Sequence, residues 1–553
     1  MTGPSPFHWL SGRFRSVGLW PGGQKTGDQL AGQQKAGGQK ACVDKAGGDK
    51  TGAHNSGETK AGGTQLGGPK AAGSLAESAW RPGRWLRRAS PVASCRTALS
   101  SNVSLEGAAA EVSRELRSGA GGNGGGGGGW RGGGWRGGGA GWGGLGGRGG
   151  GGDSGDGEAD LALVFCSTAY ASDLPRLLPL LRQSLKARHW IGCVGGGVVG
   201  TDADGSPHEL EQQAALAVTL LRLPGAELQP FVLDAKQLPD LDGSAQPWLD
   251  WVGADPALAD SMLLFIDPGC PSINDLISGL DYAYPRVDKV GGIAGPHSAS
   301  GGSLFFDDRV VEGAVGCLIG GSWRLDPVVA QGCRPIGPVF AVERSERNVI
   351  LELGDGNKKA TPVACLQTIL ETLSPADREQ VRHSLFLGVG RNNFQLSQAD
   401  PASAPSSSPT TSPSAFLVRN LLGVDPRNGA IAVAERLRVG QQVQFQLRDA
   451  AASRQELQQL LERQSQTSPA PLAGLLFACL GRGKGLYGGP DGDVSLCHEL
   501  FPALPISGAF CNGEIGPVAG ATHLHGYTAS WGFLVPNPVP GASDAGTSSD
   551  PPA

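Results

Sequence analysis

Four side chains capable of chemistry fall within one short stretch near the C-terminus: Cys511, Glu514, His523 and His525. A thiol becomes a nucleophile when a base and an electropositive setting lie beside it, so Cys511 with His525 sketches a cysteine-dependent hydrolase. In a strand, His523 and His525 share one face, which is one edge of a metal site. No second ligand pair with convincing spacing accompanies them, so neither a metal nor a cofactor is expected. Upstream, Cys479 and Arg482 sit in Cys479-Leu-Gly481-Arg482-Gly483, and Arg419 precedes Asn420. A guanidinium among small residues can reach a carboxylate through two parallel hydrogen bonds. The structural alternative is an internal Arg482–Glu514 pair joining two loops. Gly195-x-Gly197-x-x-Gly200 spells the dinucleotide fingerprint, but the polar stretch 201–208 opens no helix to face a pyrophosphate. A tight turn or a pocket wall is expected there.

Apolar periodicity gives the elements that must hold these groups. Strands are expected at 161–166, 189–193, 262–266, 431–433, 442–447, 473–480 and 531–535, and helices near 104–116, 174–185, 275–284, 363–373 and 453–465. The segments 304–309 and 313–319 read as a pair of antiparallel strands. Helices and strands alternate without a clean parallel repeat, which favours an α/β (α+β) fold of two lobes, mixed sheets layered with helices.

Composition narrows the rest. The chain has 553 residues, 90 of them glycine, and a formal net charge of −5, so no overall basic field invites nucleic acid. No apolar run approaches the ~18 residues of a membrane span. Eleven cysteines, scattered and without a CxxC pair, read as buried reduced thiols in an intracellular, reducing compartment. Residues 1–94 read as disordered: an acid-free basic start resembling a transit peptide, which suits chloroplast or cytoplasm, then Gly-Gly-Gln-Lys repeats. A glycine-rich insert occupies 119–157, a Pro/Ser loop 398–414 and a polar tail 536–553. Three RGG units at Arg131, Arg136 and Arg148 lie among tryptophans, a pattern that suits RNA, although glycine-repeat expansion is the blander explanation.

Several motifs occur together in order: Arg419-Asn420-Leu-Leu-Gly423-Val-Asp425-Pro426, Cys479-Leu-Gly-Arg482-Gly483, Gly513-Glu514-Ile-Gly516-Pro517 and His525-Gly526. Before them stand Leu161 to Phe165, Ile191-Gly192-Cys193, Gly279-Leu-Asp281-Tyr-Ala-Tyr284-Pro285 and Ala330-Gln331-Gly332-Cys333-Arg334-Pro335. The series resembles the FIST family of sensory domains, over roughly residues 95–535. The resemblance implies a FIST N-like lobe at 95–359 and a FIST C-like lobe at 360–535. It implies a small-ligand sensor in signal transduction rather than an enzyme, with amino acids as the ligand class and a protein effector as partner. Arg419 or Arg482 would then hold a carboxylate and Glu514 an ammonium, in a site with Asn420, Cys479, Gly483, Cys511 and His525. Residues 1–94 lack the leucine-rich helical pattern of an F-box, which some relatives carry.

Overall fold

Three short runs share one pattern: Leu163-Val164-Phe165, Leu263-Leu264-Phe265 and Leu475-Leu476-Phe477. In the computed structural model each lies in the first strand of a β-α-β unit. Ala159–Ser167 pairs in parallel with Ala187–Gly195, Ser261–Ile266 with Asp288–Ile293, and Ala473–Cys479 with Ile506–Cys511. Runs that are apolar on both faces suit such central parallel strands. The crossovers carry the helices Leu174–Arg182, Ile273–Ala283 and Gly492–Leu500. In every pair the residue before the phenylalanine faces a glycine: Val164 faces Gly192, Leu264 faces Gly291 and Leu476 faces Gly508. A Cβ at these glycines would stand 1.8, 1.9 and 1.8 Å from the opposing carbonyl oxygen, so no side chain fits. The three phenylalanines meet edge to face, with centroids 5.7, 6.0 and 5.4 Å apart.

The repetition extends to whole sheets. Three six-stranded sheets each join two antiparallel strands, a parallel pair, and a hairpin supplied by another unit. The first contains Ser94–Ser100, Leu216–Arg222, the first parallel pair and the hairpin Leu304–Phe306 with Arg309–Val311. The second contains Ala226–Leu233, Ala314–Gly321, the second pair and the hairpin Glu514–Val518 with Ala521–His525. The third contains Trp323–Ala330, Ala529–Pro536, the third pair and the hairpin Gly197–Thr201 with Pro207–Glu211. Hairpins are thus exchanged cyclically among three modules. A ring of backbone hydrogen bonds marks the exchange: Gly196 N–H to Phe510 O (2.9 Å), Asn512 N–H to Ile293 O (2.9 Å) and Gly295 N–H to Val194 O (2.8 Å).

An eight-stranded sheet is inserted into the third module, between Trp323–Ala330 and Ala473–Cys479. Gln442–Arg448 pairs with both Phe340–Glu346 and Leu385–Gly390, which closes six of its strands into a barrel. Val443, Phe445 and Leu447 point into the barrel core, so the alternating Gln442, Gln444, Gln446 and Arg448 lie on the other face. Helix Ala450–Thr467, capped by Asp449 on the amides of Ala451 and Ala452, leads the chain back to the third module.

The α/β class of mixed sheets layered with helices is as expected. One expected pairing is corrected. Residues 304–306 turn back at once to pair with 309–311, whereas Ala314–Gly321 pairs with Ala226–Leu233 and Ser261–Ile266. A strand, Ser94–Ser100, also precedes the first helix, Leu105–Ser118. The described residues are 92–118, 158–295, 301–390 and 416–538, all within one compact unit. The N-terminal repeats, the 119–157 insert with its RGG units, the 398–414 loop and all but the first residues of the tail lie outside them.

Candidate functional site

The polar motifs gather where the central strand of the third module ends. Cys479 closes that strand, and the chain turns through Gly481, Arg482 and Gly483. Gly483 has φ +55°, and a Cβ there would meet the Glu211 carboxylate at 2.3 Å; Glu211 accepts the Lys484 amide at 2.8 Å. The turn sends Arg482 inward, where it is 0% exposed. Its Nε and Nη2 donate to the two Asp493 oxygens at 2.8 and 2.6 Å. Nη2 also reaches Ser453 Oγ (2.9 Å) and Tyr487 Oη (2.7 Å), and Nη1 reaches the Tyr527 carbonyl (3.2 Å). Arg482 is therefore internally paired, with Asp493 rather than Glu514 as its partner. Asp493 is held in the first turn of helix Gly492–Leu500 by Glu209, which accepts the amides of Gly492, Asp493 and Val494 at 3.2, 2.8 and 2.9 Å. Burial and the charge of Asp493 push the Glu209 carboxyl up to about 8, against the pull of those amides.

Glu514 lies opposite both Gly292 and His525 in its sheet and is 0% exposed. Its Oε2 accepts the Thr528 amide at 3.1 Å, while Oε1 is buried with no hydrogen-bond partner. Burial holds this carboxyl well above the usual carboxylate range. The Cys479 thiol is pushed to about 12 by burial and then by Glu514. Cys511, in register with Cys479, is raised well above an ordinary thiol by burial, then by Cys193 and Glu514, and its Sγ points at the Ala509 carbonyl (3.6 Å). His525 Nε2 lies 3.0 Å from the Gly516 carbonyl. Cys511 and His525 lie on strands of two different sheets, joined through Glu514, which stands opposite His525, and burial holds the thiol neutral rather than activated. Among the described residues, no cluster of three or more His, Cys, Asp or Glu side chains is placed to hold a metal ion.

Arg419 pairs with Glu435 at 2.6 Å and donates to the Leu524 carbonyl at 3.0 Å, so the barrel touches the strand that carries His525. Asn420 is exposed, opposite Phe386 in register. The structure thus brings Cys479, Arg482, Gly483, Cys511, Glu514 and His525 around one strand end, with Arg419 and Asn420 on the adjoining barrel strand.

Two residues absent from the sequence reading complete the place. Arg448, at the end of Gln442–Arg448, lays its guanidinium 4.4 Å over the Tyr527 ring and donates from Nη1 to the Gly481 carbonyl at 2.6 Å. Tyr527, at φ +63°, meets Phe386 edge to face at 4.8 Å. The barrel is fixed here by Gln331, which donates to the Phe416 carbonyl (2.8 Å) and accepts the Val418 amide (2.9 Å). Alternation along 442–448 does place Arg448 on the outer face of the barrel; nothing in the sequence says what it faces.

The FIST N domain matches residues 160–356 and the FIST C domain residues 363–517. An uncharacterized protein of Mycobacterium tuberculosis, Rv0628c, is 36% identical over 378 residues, covering 68% of this chain and 91% of the relative. An uncharacterized Mycobacterium bovis protein, Mb0898c, is 34% identical over 378 residues, covering 68% and 90%. No described helix is long and apolar enough to cross a membrane. With both domains matched in order and a relative aligned over nine-tenths of its length, the chain belongs to the FIST family.

Proposed function

We propose that this protein is a FIST-type sensory domain of signal transduction, taking up a small ligand where the inserted barrel meets the strand end of the third module. One observation carries the reading. The three modules repeat one fold, and among the described residues only the third sets a fully buried ion pair, Arg482 with Asp493, at the end of its central strand; the second buries a lone Asp267, held by the Gly269 and Ser303 amides. At the positions equivalent to Cys479 and Arg482, the first module has Ser167 and Tyr170, which hydrogen-bond locally to the Ala215 amide and the Asn102 carbonyl. Ligands of parallel-strand folds bind beyond the carboxyl ends of the strands, where loops rather than the ladder supply the contacts. The ligand class we favour is an amino-acid-like molecule, and a separate protein effector would read the liganded state.

The ten cysteines of the described residues are all free, which supports a reducing compartment. A plastid address would rest on N-terminal residues outside the described set, and the matched relatives are bacterial.

Mass spectrometry of small molecules released on denaturing the purified full-length protein tests the proposal. A molecule retained by the folded protein and lost on unfolding is expected. No retained molecule from any expression host, together with no thermal shift across a metabolite library, would remove it.

A further inference from the structure

The arginines of the third module and its barrel divide by what their side-on fork holds. Arg482 uses Nε and Nη2 to grip Asp493, and Arg324 uses the same two nitrogens on Asp326, at 2.9 and 3.3 Å. Arg419 engages Glu435 through Nε, and Arg334 engages Asp377 and Asp449. Arg448 is different. Only Nη1, at the other end of its guanidinium, is bonded, to the Gly481 carbonyl. Its Nε is buried without a hydrogen-bond partner, and no carboxylate pairs with it among the described residues.

The surroundings favour an incoming anion. Burial disfavours the charge of Arg448, and the nearby Arg482 adds to this in smaller measure. Of the nearby carboxyls, Asp493 is committed to Arg482, while burial holds Glu514 and Glu456 above the usual carboxylate range. Asp377 and Asp449 are taken up by Arg334, so among the described residues no carboxylate serves Arg448. A buried donor left without an acceptor is costly, and a ligand acceptor would recover that cost.

We infer that Arg448 is the anchor of the ligand site: its Nε–Nη2 fork takes the carboxylate of a small molecule, with the Tyr527 ring as the supporting wall. This rests on the small-ligand reading above and names the group that contacts the ligand. It moves the carboxylate-binding role from Arg419 and Arg482, whose donors serve internal acceptors, to a residue of the inserted barrel. Binding would then bridge Arg448 of the barrel and the Gly481 turn of the third module.

The test is differential stabilisation of the full chain by simple probes. Acetate, propionate, glycine and L-glutamate, with inorganic phosphate for comparison, are titrated against wild type, Arg448→Lys and Arg448→Gln by thermal shift and calorimetry. Wild type should be stabilised by at least one carboxylate more than by phosphate, because the planar fork matches a planar acceptor. Arg448→Lys should weaken that binding by about tenfold or more, and Arg448→Gln should abolish it. Arg448→Lys keeps the charge and the stacked stem, so it decides the matter if the glutamine variant does not fold. Equal carboxylate affinity in wild type and Arg448→Lys would overturn the assignment, as would a wild type that responds to none of the carboxylates. A retained non-anionic small molecule with no carboxylate response would sink Arg448 as anchor while leaving the sensor reading standing.

Discussion

The first and third modules share one strand plan and part ways beyond the end of the central strand. Both set a phenylalanine in the central trio and face a glycine with the preceding residue. Beyond the strand end, the first module buries Tyr170, whose hydroxyl needs one acceptor and finds the Asn102 carbonyl. The third buries Arg482, whose charge demands a carboxylate, and Asp493, Ser453, Tyr487 and the capping Glu209 are drawn in behind it. The difference teaches that the scaffold tolerates either solution. The charged one sits where the third module meets the barrel, whose strand end adds Arg448 against Gly481 and Tyr527.

The sharpest way to break the comparison is to remove the partner of Arg482. Asp493→Ala leaves a guanidinium buried without its carboxylate and should cost about 3–5 kcal/mol, read by chemical denaturation. Arg482→Lys should likewise lower the melting temperature with no ligand present. Tyr170→Phe, the corresponding loss in the first module, should cost only about 0.5–1.5 kcal/mol. Similar costs at both sites would mean that the third module gains nothing distinctive from its ion pair.

What the modules share should be equally sensitive in each. Gly192→Ala and Gly508→Ala both drive a Cβ into a strand carbonyl, so each should destabilise by about 3 kcal/mol or more. A tolerated alanine at only one of them would break the equivalence of the modules.

Acidity supplies a third contrast. The Glu209 carboxyl is raised from 4.5 to about 8 in the folded chain. The folded state thus binds the proton more tightly than the unfolded state. This contribution to stability is fully present below the unfolded pKa and is lost as pH rises through the folded pKa. Glu514 acts in the same direction. Unfolding free energy should therefore fall between about pH 4.5 and 8 by this contribution, and Glu514→Gln should flatten the profile. A slope unchanged in that variant would show that Glu514 is not protonated in the fold.

The smallest effect is expected at Arg448 without ligand. Arg448→Lys gives up the Gly481 hydrogen bond and part of the stacking on Tyr527, a loss of about 1 kcal/mol. A loss as large as that of Asp493→Ala would place Arg448 with Arg482 as a structural cation.

Much is legible in the sequence. Strand and helix positions came from apolar periodicity, and the family from ordered motifs such as Gly513-Glu514-Ile-Gly516-Pro517. The threefold plan was present too, as Leu-Val-Phe and Leu-Leu-Phe runs each followed by a glycine strand, but spacing hid it. The barrel separates the third module's first strand from its parallel pair, so no fixed period appears. The pairing of 304–306 with 309–311 depended on a tight turn that periodicity does not register.

The sequence by itself determined several of the buried strands, among them 161–166, 262–266 and 473–480, and which residues carry charge within glycine turns, because burial and backbone freedom are local properties of side chains; strands such as Leu216–Arg222 and Leu385–Gly390 escaped it. It did not determine partners. Whether Arg482 meets Glu514 or Asp493, and that Glu209 caps a helix 283 to 285 residues away, depends on cyclic exchange of hairpins among modules. Ion pairs and caps are settled by which charges the packed sheets bring within about 3 Å. That distance exists only in the assembled tertiary structure, and for the same reason only it could distinguish the occupied fork of Arg482 from the open one of Arg448.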